Sequence, residues 1–194
     1  MELQGERLMP ASVDTTWAAL NDPDALKACI AGCESLDRTG PDAYTAVVAL
    51  RVGPVSARFK GNLQMTNVQA PNSYTINFDG QGGVAGFGKG SADVALTPQG
   101  TGTLLKYNAR ATVGGKMAQV GARLIDAAAG KITEDFFKAF EAHLQAASDA
   151  ASAPAGGVEA AAAEPAKAEP AGTGKLWWYI GAIVVLAAIY FATR

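Results

Sequence analysis

Between Tyr44 and Thr112 apolar and polar residues alternate with a period of two, as in strands that have one covered and one wet face. Tyr44, Ala46, Val48, Leu50 and Val52 alternate with Thr45, Val47, Ala49 and Arg51, and Gly53-Pro54 then turns the chain. Val55, Ala57, Phe59, Gly61, Leu63 and Met65 face one way, and Ser56, Arg58, Lys60, Asn62, Gln64 and Thr66 the other. Tyr74, Ile76 and Phe78 oppose Thr75, Asn77 and Asp79. Further on, Leu105, Tyr107, Ala109, Ala111 and Val113 oppose Leu104, Lys106, Asn108, Arg110 and Thr112. Turns at Ala70-Pro71-Asn72 and Pro98-Gln99-Gly100 leave only a few residues between strands, which predicts an antiparallel meander.

Before this region, Leu3 to Met9 predicts a first strand, closed by Pro10. Two short helices follow: Val13 to Leu20, with Ser12 or Asp14 as N-cap, and Pro23 to about Ile30, where a proline at the helix start loses no hydrogen bond. After Gly114-Gly115 the period becomes helical, with Val120, Leu124, Ala128, Ile132, Phe136, Phe140 and Leu144 at every fourth position. This predicts one helix from about Met117 to Ala146, roughly 45 Å long, lying on the sheet. Its middle, Ala127-Ala128-Ala129-Gly130, has almost no side-chain volume, while its later part carries Phe136, Phe137 and Phe140. Against a curved sheet, the small stretch either lets helix and sheet approach or leaves a void.

From 148 to 174 the composition falls to Ala, Pro, Glu, Gly and Lys, with Val158 the one large apolar residue, so this tether is not expected to fold by itself. Residues 175–194 contain Leu176 to Ala192 without a charge, about 25 Å as a helix. Trp177, Trp178 and Tyr179 at one end and Tyr190 and Phe191 at the other suit the two interfaces of a bilayer. The chain therefore divides into a folded domain (1–147), a tether (148–174) and a single-pass anchor (175–194). The first residues lack the basic start and apolar run of a secretory signal, so the domain is expected in the cytoplasm, held at the cytoplasmic membrane.

Sixteen Lys and Arg nearly balance eighteen Asp and Glu, with no block of like charge, which argues against nucleic acid as a partner. Cys29 and Cys33 lie four apart in a segment that reads as helical, one turn apart on one face. The sole histidine, His143, is on another element, so two buried reduced thiols are expected and no metal site. Gly83 to Lys89 nearly matches a phosphate-binding loop, but Gly90 stands where Ser or Thr is needed, and Ala92, Val94 and Leu96 continue as a strand rather than a helix. The glycines instead suit a strongly bent hairpin or a mobile lip, with Gly83, Gly86 and Gly88 freeing the backbone around Phe87. No catalytic set emerges: His143 is expected to be exposed, and Glu134 and Asp135 read as a solvated face. Tyr107 either packs its ring or donates to a ligand carbonyl.

The element order, an α+β arrangement of strand, two short helices, curved antiparallel meander and long C-terminal helix, resembles the helix-grip fold of the START or Bet v 1-like (SRPBCC) superfamily. Val13-Asp14-Thr15-Thr16-Trp17-Ala18-Ala19-Leu20-Asn21-Asp22 resembles its opening helix. Cys29-Ile30-Ala31-Gly32-Cys33, Thr103-Leu104-Leu105-Lys106-Tyr107 and Gly114-Gly115-Lys116-Met117-Ala118-Gln119 look like the G-subunit family of carbon monoxide dehydrogenase. Ala31-Gly32 stands where that family often has Pro-Gly, a departure expected to alter a turn.

The resemblance implies a non-catalytic accessory to a molybdenum hydroxylase of the aerobic carbon monoxide dehydrogenase type, placed at the membrane. It also implies an apolar cavity between sheet and helix. A respiratory quinone, or another membrane lipid, is the expected occupant, with no covalent cofactor, since an oxidase at a membrane must pass electrons on. Inward alternation and the helical stripe nominate Leu50, Phe59, Leu63, Ile76, Phe78, Phe87, Tyr107, Met117, Val120 and Leu124 as its lining.

Overall fold

The computed structural model describes residues 1–152. Strand β1 (Glu2–Met9) leads through Pro10 into α1 (Val13–Leu20) and α2 (Pro23–Cys29). Six strands follow: β2 (Cys33–Gly40), β3 (Ala43–Val52), β4 (Val55–Gln69), β5 (Ser73–Gln81), β6 (Phe87–Gln99) and β7 (Gly102–Gly114). A short helix α3 (Lys116–Gln119) precedes the long α4 (Ala122–Ser152). All seven strands form one antiparallel sheet in the order β1-β7-β6-β5-β4-β3-β2. The meander thus runs from one edge to β7, and β1 closes the other.

Local chemistry sets the helix starts. The Ser12 hydroxyl accepts from the Thr15 amide at 3.2 Å and the Asp22 carboxylate from the Asp24 amide at 3.0 Å. Each satisfies an amide that the first turn leaves without a partner. The buried Thr103 hydroxyl of β7 donates to the Ala11 carbonyl at 2.8 Å, tying the bend after β1 to the sheet. Around it lies the main core: Met9, Leu20, Leu96, Leu105, Phe137, Phe140 and Leu144. A second cluster, Leu36, Tyr44, Ala46, Met65 and Tyr74, meets Trp17 of α1, whose ring stands edge-on to Tyr74 at 5.3 Å.

Three expectations are corrected. Residues 33–40 are an edge strand, so Cys33 is not on a helix with Cys29; the helix stops at Cys29, and Gly32, at φ +78°, turns the chain under the Ala49 carbonyl. The C-terminal helix is two helices, parted at Gly121, whose φ of +95° no right-handed helix contains. That break takes Val120 off the α4 stripe and leaves Leu124 48% exposed. Cys29 is buried, while Cys33 is half-buried and donates from Sγ to the Ser35 carbonyl.

Among the described residues no helix is long and apolar enough to cross a membrane. Helix α4 runs past the expected end near Ala146 to Ser152, through the first residues of the expected tether (148–174); the rest of that tether, from 153, and the segment 175–194, with Trp177, Trp178, Tyr179, Tyr190 and Phe191, lie outside the described residues.

Candidate functional site: an apolar cavity between sheet and helix

A cavity of about 500 Å³ separates the sheet from the first half of α4. Its walls come from β3 to β7 together, from Val48 and Leu50 through Phe59, Leu63 and Phe78 to Phe87 and Val113, so the sheet curves around it. Met117 of α3 closes one side, and Ile125, Ala128, Ala129 and Ile132 of α4 form the roof. The small residues of the helix middle therefore leave a void. Two polar residues touch it, Asn62 and Asp79, and their side chains hydrogen-bond to each other at 3.4 Å in an exposed position.

The sheet keeps this space open through its glycines. Across the ladder Phe78 faces Gly90, Phe87 faces Gly114 and Tyr107 faces Gly5; Phe59 faces Gly82, one step past the Lys60–Gln81 pair. Each ring lies over its glycine: a Cβ at Gly82 would sit 2.6 Å from the Phe59 ring, and one at Gly5 2.7 Å from the Tyr107 hydroxyl. A glycine lets an aromatic neighbour fold flat across the backbone where any larger residue would push it upright. Three of these rings, Phe59, Phe78 and Phe87, are laid on the sheet as an apolar wall of the larger cavity without filling the space above it.

A smaller cavity of about 240 Å³ adjoins the first, sharing Ile30 and Leu63 with it. Leu26, Leu36, Tyr44, Ile76, Tyr107, Phe136 and Phe137 line it, and Tyr74 stands among them. The Tyr44 hydroxyl is engaged by Arg38 at 2.9 Å. No such partner holds the hydroxyls of Tyr74 and Tyr107 among the described residues, and no buried side-chain oxygen there is sealed off unpaired. Neither hydroxyl is therefore fully enclosed; that of Tyr107 lies over Gly5 of the edge strand β1, and burial holds the Tyr74 phenol well above its usual range, fully protonated.

Of the nominated residues, Leu50, Phe59, Leu63, Phe78, Phe87 and Met117 line the larger cavity, and Ile76 and Tyr107 the smaller, with Leu63 in both. Val120 and Leu124 line neither. Gly88 touches the larger cavity, whereas Gly83 and Gly86 shape the turn beside it, a single 3-10 turn at Gly83–Ala85. Gly86, at φ +113°, packs on the Gly114 carbonyl and Gly115, so the glycine-rich segment is a bent hairpin seated on the β7–α3 turn. The roof residues Ile125 and Ala129 were missed. They lie beside the four-residue stripe, and the Gly121 break that rotates them inward shows in the sequence only as one more glycine.

No chemistry-bearing cluster competes with this site among the described residues. Glu134 is bonded by Arg7 and Lys138, and Asp135 by Lys131 at 2.6 Å, while His143 is exposed. No group of three or more His, Cys, Asp or Glu is placed to hold a metal there. Burial raises the pKa of both thiols; at Cys33 the Lys27 ammonium partly opposes it and Asp37 adds to it.

The chain is similar to a conserved protein of Geobacillus kaustophilus, 30% identical, over 76% of this chain and 97% of that one, at a TM-score of 0.71. It is also similar to a START superfamily protein of Mycobacterium smegmatis, at 16% identity, 75% and 98% coverage and a TM-score of 0.59. An aromatase/cyclase from a Streptomyces species matches at 10% identity, 78% and 98% coverage and a TM-score of 0.58. These last two likenesses show the fold alone, the helix-grip arrangement of the START superfamily. No curated protein matches the sequence. Residues 5–145 match the CoxG family, the G-subunit family of carbon monoxide dehydrogenase, and the chain belongs to that family.

Proposed function

We propose that this protein is a membrane-anchored, non-catalytic accessory that binds a respiratory quinone in the cavity and brings it to a cytoplasmic molybdenum hydroxylase of the carbon monoxide dehydrogenase type. The observation that carries the reading is the void itself, about 500 Å³ and apolar on nearly every side. That size falls within the roughly 300–1,000 Å³ usual for small-molecule sites. A quinone combines an apolar ring and tail with two carbonyl oxygens. The apolar walls suit the former, and the Tyr74 hydroxyl of the adjoining smaller cavity supplies a donor for the latter. The family name supports the partner, and the charge-free segment 176–192 supports the anchor.

The protein is to be purified in mild detergent from native membranes and extracted with organic solvent, and the extract identified by mass spectrometry. A quinone at about one equivalent is expected; a phospholipid in its place would make this a general lipid carrier. Deleting residues 148–194 should release both the domain and the hydroxylase from the membrane. A hydroxylase that stays membrane-bound would sink the recruitment reading.

A further inference from the structure

The two adjoining cavities differ in what they offer a polar group. The polar side chains at the larger one, Asn62 and Asp79, bond to each other in an exposed position. At the smaller one the hydroxyl with capacity to spare is that of Tyr74, a residue only 4% exposed. The Tyr44 oxygen already accepts from Arg38 at 2.9 Å, and its hydrogen is directed at the Asn21 carbonyl at 3.5 Å. The Tyr107 hydroxyl lies over Gly5, and the Met65 thioether is a weak acceptor. The strand backbone adds little, because β4 to β7 are interior to the sheet and spend their amides and carbonyls on ladders to both sides.

At about 240 Å³ the smaller cavity falls below the roughly 300–1,000 Å³ of whole small-molecule sites, so it takes one part of a ligand. For a molecule with a polar ring and an apolar tail that part is the ring, since the buried donor is here and the larger cavity is left for the tail. A quinone ring carries two acceptors and no donor. Two electrons and two protons turn both carbonyls into hydroxyls, each with an O–H that needs an acceptor. With the quinone seated, the one donor present, the Tyr74 O–H, is satisfied. With the quinol seated there are three O–H groups and a single contact between Tyr74 and the ring, so two stay unmatched whichever oxygen donates. A buried donor left unmatched costs more than a hydrogen bond returns. A carbonyl left short is the milder case, and folded proteins leave acceptors short more often than donors.

We infer that the smaller cavity seats the ring and selects its oxidation state, holding the quinone in preference to the quinol: Tyr74 supplies affinity, and the shortage of acceptors around it supplies the selectivity. This rests on reading the paired cavities as a quinone site. Burial, with the neighbouring Tyr44 phenol adding to it, keeps the Tyr74 phenol protonated, so the donor persists in alkaline solution. A site of this kind delivers an electron acceptor and does not retain it once reduced.

The test is calorimetric titration of the full-length protein in mild detergent, corrected for partition into empty micelles. The ligands are decylubiquinone and, under argon, decylubiquinol and the dimethyl ether of that quinol. The quinol is expected to bind roughly tenfold or more weakly than the quinone, and the ether, which keeps ring and tail but has no O–H, within about threefold of the quinone. A tenfold preference places the two-electron midpoint of the bound couple about 30 mV below that of the free couple, which a redox titration reads. Tyr74→Phe should weaken quinone and quinol alike, about tenfold, and leave their ratio unchanged. A thermal melt checks that this variant is folded, and the ligand series does not depend on it. Quinol bound as tightly as quinone, an ether as weak as the quinol, or a bound midpoint at or above the free one would overturn the selectivity and leave the quinone reading standing. A ratio that collapses in Tyr74→Phe would overturn the division of roles. If neither form binds, the quinone reading fails and the selectivity with it.

Discussion

The two halves of α4 lie against the same sheet and end in opposite states. From Phe136 to Leu144 the helix packs a core in which Phe140 and Leu144 are fully buried and the Phe136 and Phe140 rings stack at 5.6 Å. From Ile125 to Ile132 it roofs a cavity. The strands beneath differ in kind as well. Under the packed half they carry Met9, Leu96 and Leu105, and under the open half they carry the Phe59, Phe78 and Phe87 rings folded over glycines. Side-chain volume decides the difference, because close packing leaves a void wherever neither surface supplies atoms to fill it.

That comparison can be broken most severely at Phe140. Phe140→Ala should cost about 3–5 kcal/mol in denaturant unfolding, the range for emptying a tightly packed aromatic site. One substitution placed on each half sharpens the contrast. Ala139→Phe, against the packed cluster, should cost about 1–3 kcal/mol through overpacking. Ala128→Phe should change stability by less than about 1 kcal/mol, because its ring enters open space, and should weaken decylubiquinone binding at least tenfold in a fluorescence titration. Tyr74→Phe keeps the ring and removes one donor. It should lower the same affinity about tenfold at an almost unchanged melting temperature.

The smallest expected effect is alkaline. Burial raises the pKa of the Cys29 and Cys33 thiols and of the Tyr74 phenol in the folded state, so the folded chain holds these protons longer than the unfolded one. Their contribution is complete below the ordinary thiol pKa of about 8.5 and is lost as pH rises through the folded values. Denaturation midpoints should therefore hold from pH 6 to 8 and fall above about pH 9. Cys29→Ala should flatten the first part of that fall.

Much of this fold is legible in the sequence, because a strand with one wet face writes its orientation into every second residue. The inward set from Tyr44 to Val113 needed no correction. Strand β2 escaped because Cys-Glu-Ser-Leu-Asp-Arg-Thr-Gly buries only Leu36, and an edge strand has little apolar alternation to show. The helix break escaped because the four-residue spacing of Val120 and Leu124 continues through Gly121 as if the backbone did. Whether the alanine stretch meant close approach or a void depended on cross-strand register. Phe78 and Phe87 each meet a glycine on the next strand and Phe59 the glycine just past the end of β5, pairings that appear only once the strands are aligned.

Rings borne by the backbone have a mechanical consequence. A cavity propped by its ligand would collapse when the ligand left, but one propped by glycine-seated aromatics keeps its volume either way. That volume disappears on unfolding, so hydrostatic pressure acts on the unoccupied protein more strongly than on the loaded one. The difference in unfolding pressure between the two states then measures how much of the cavity a bound molecule fills, whatever that molecule is.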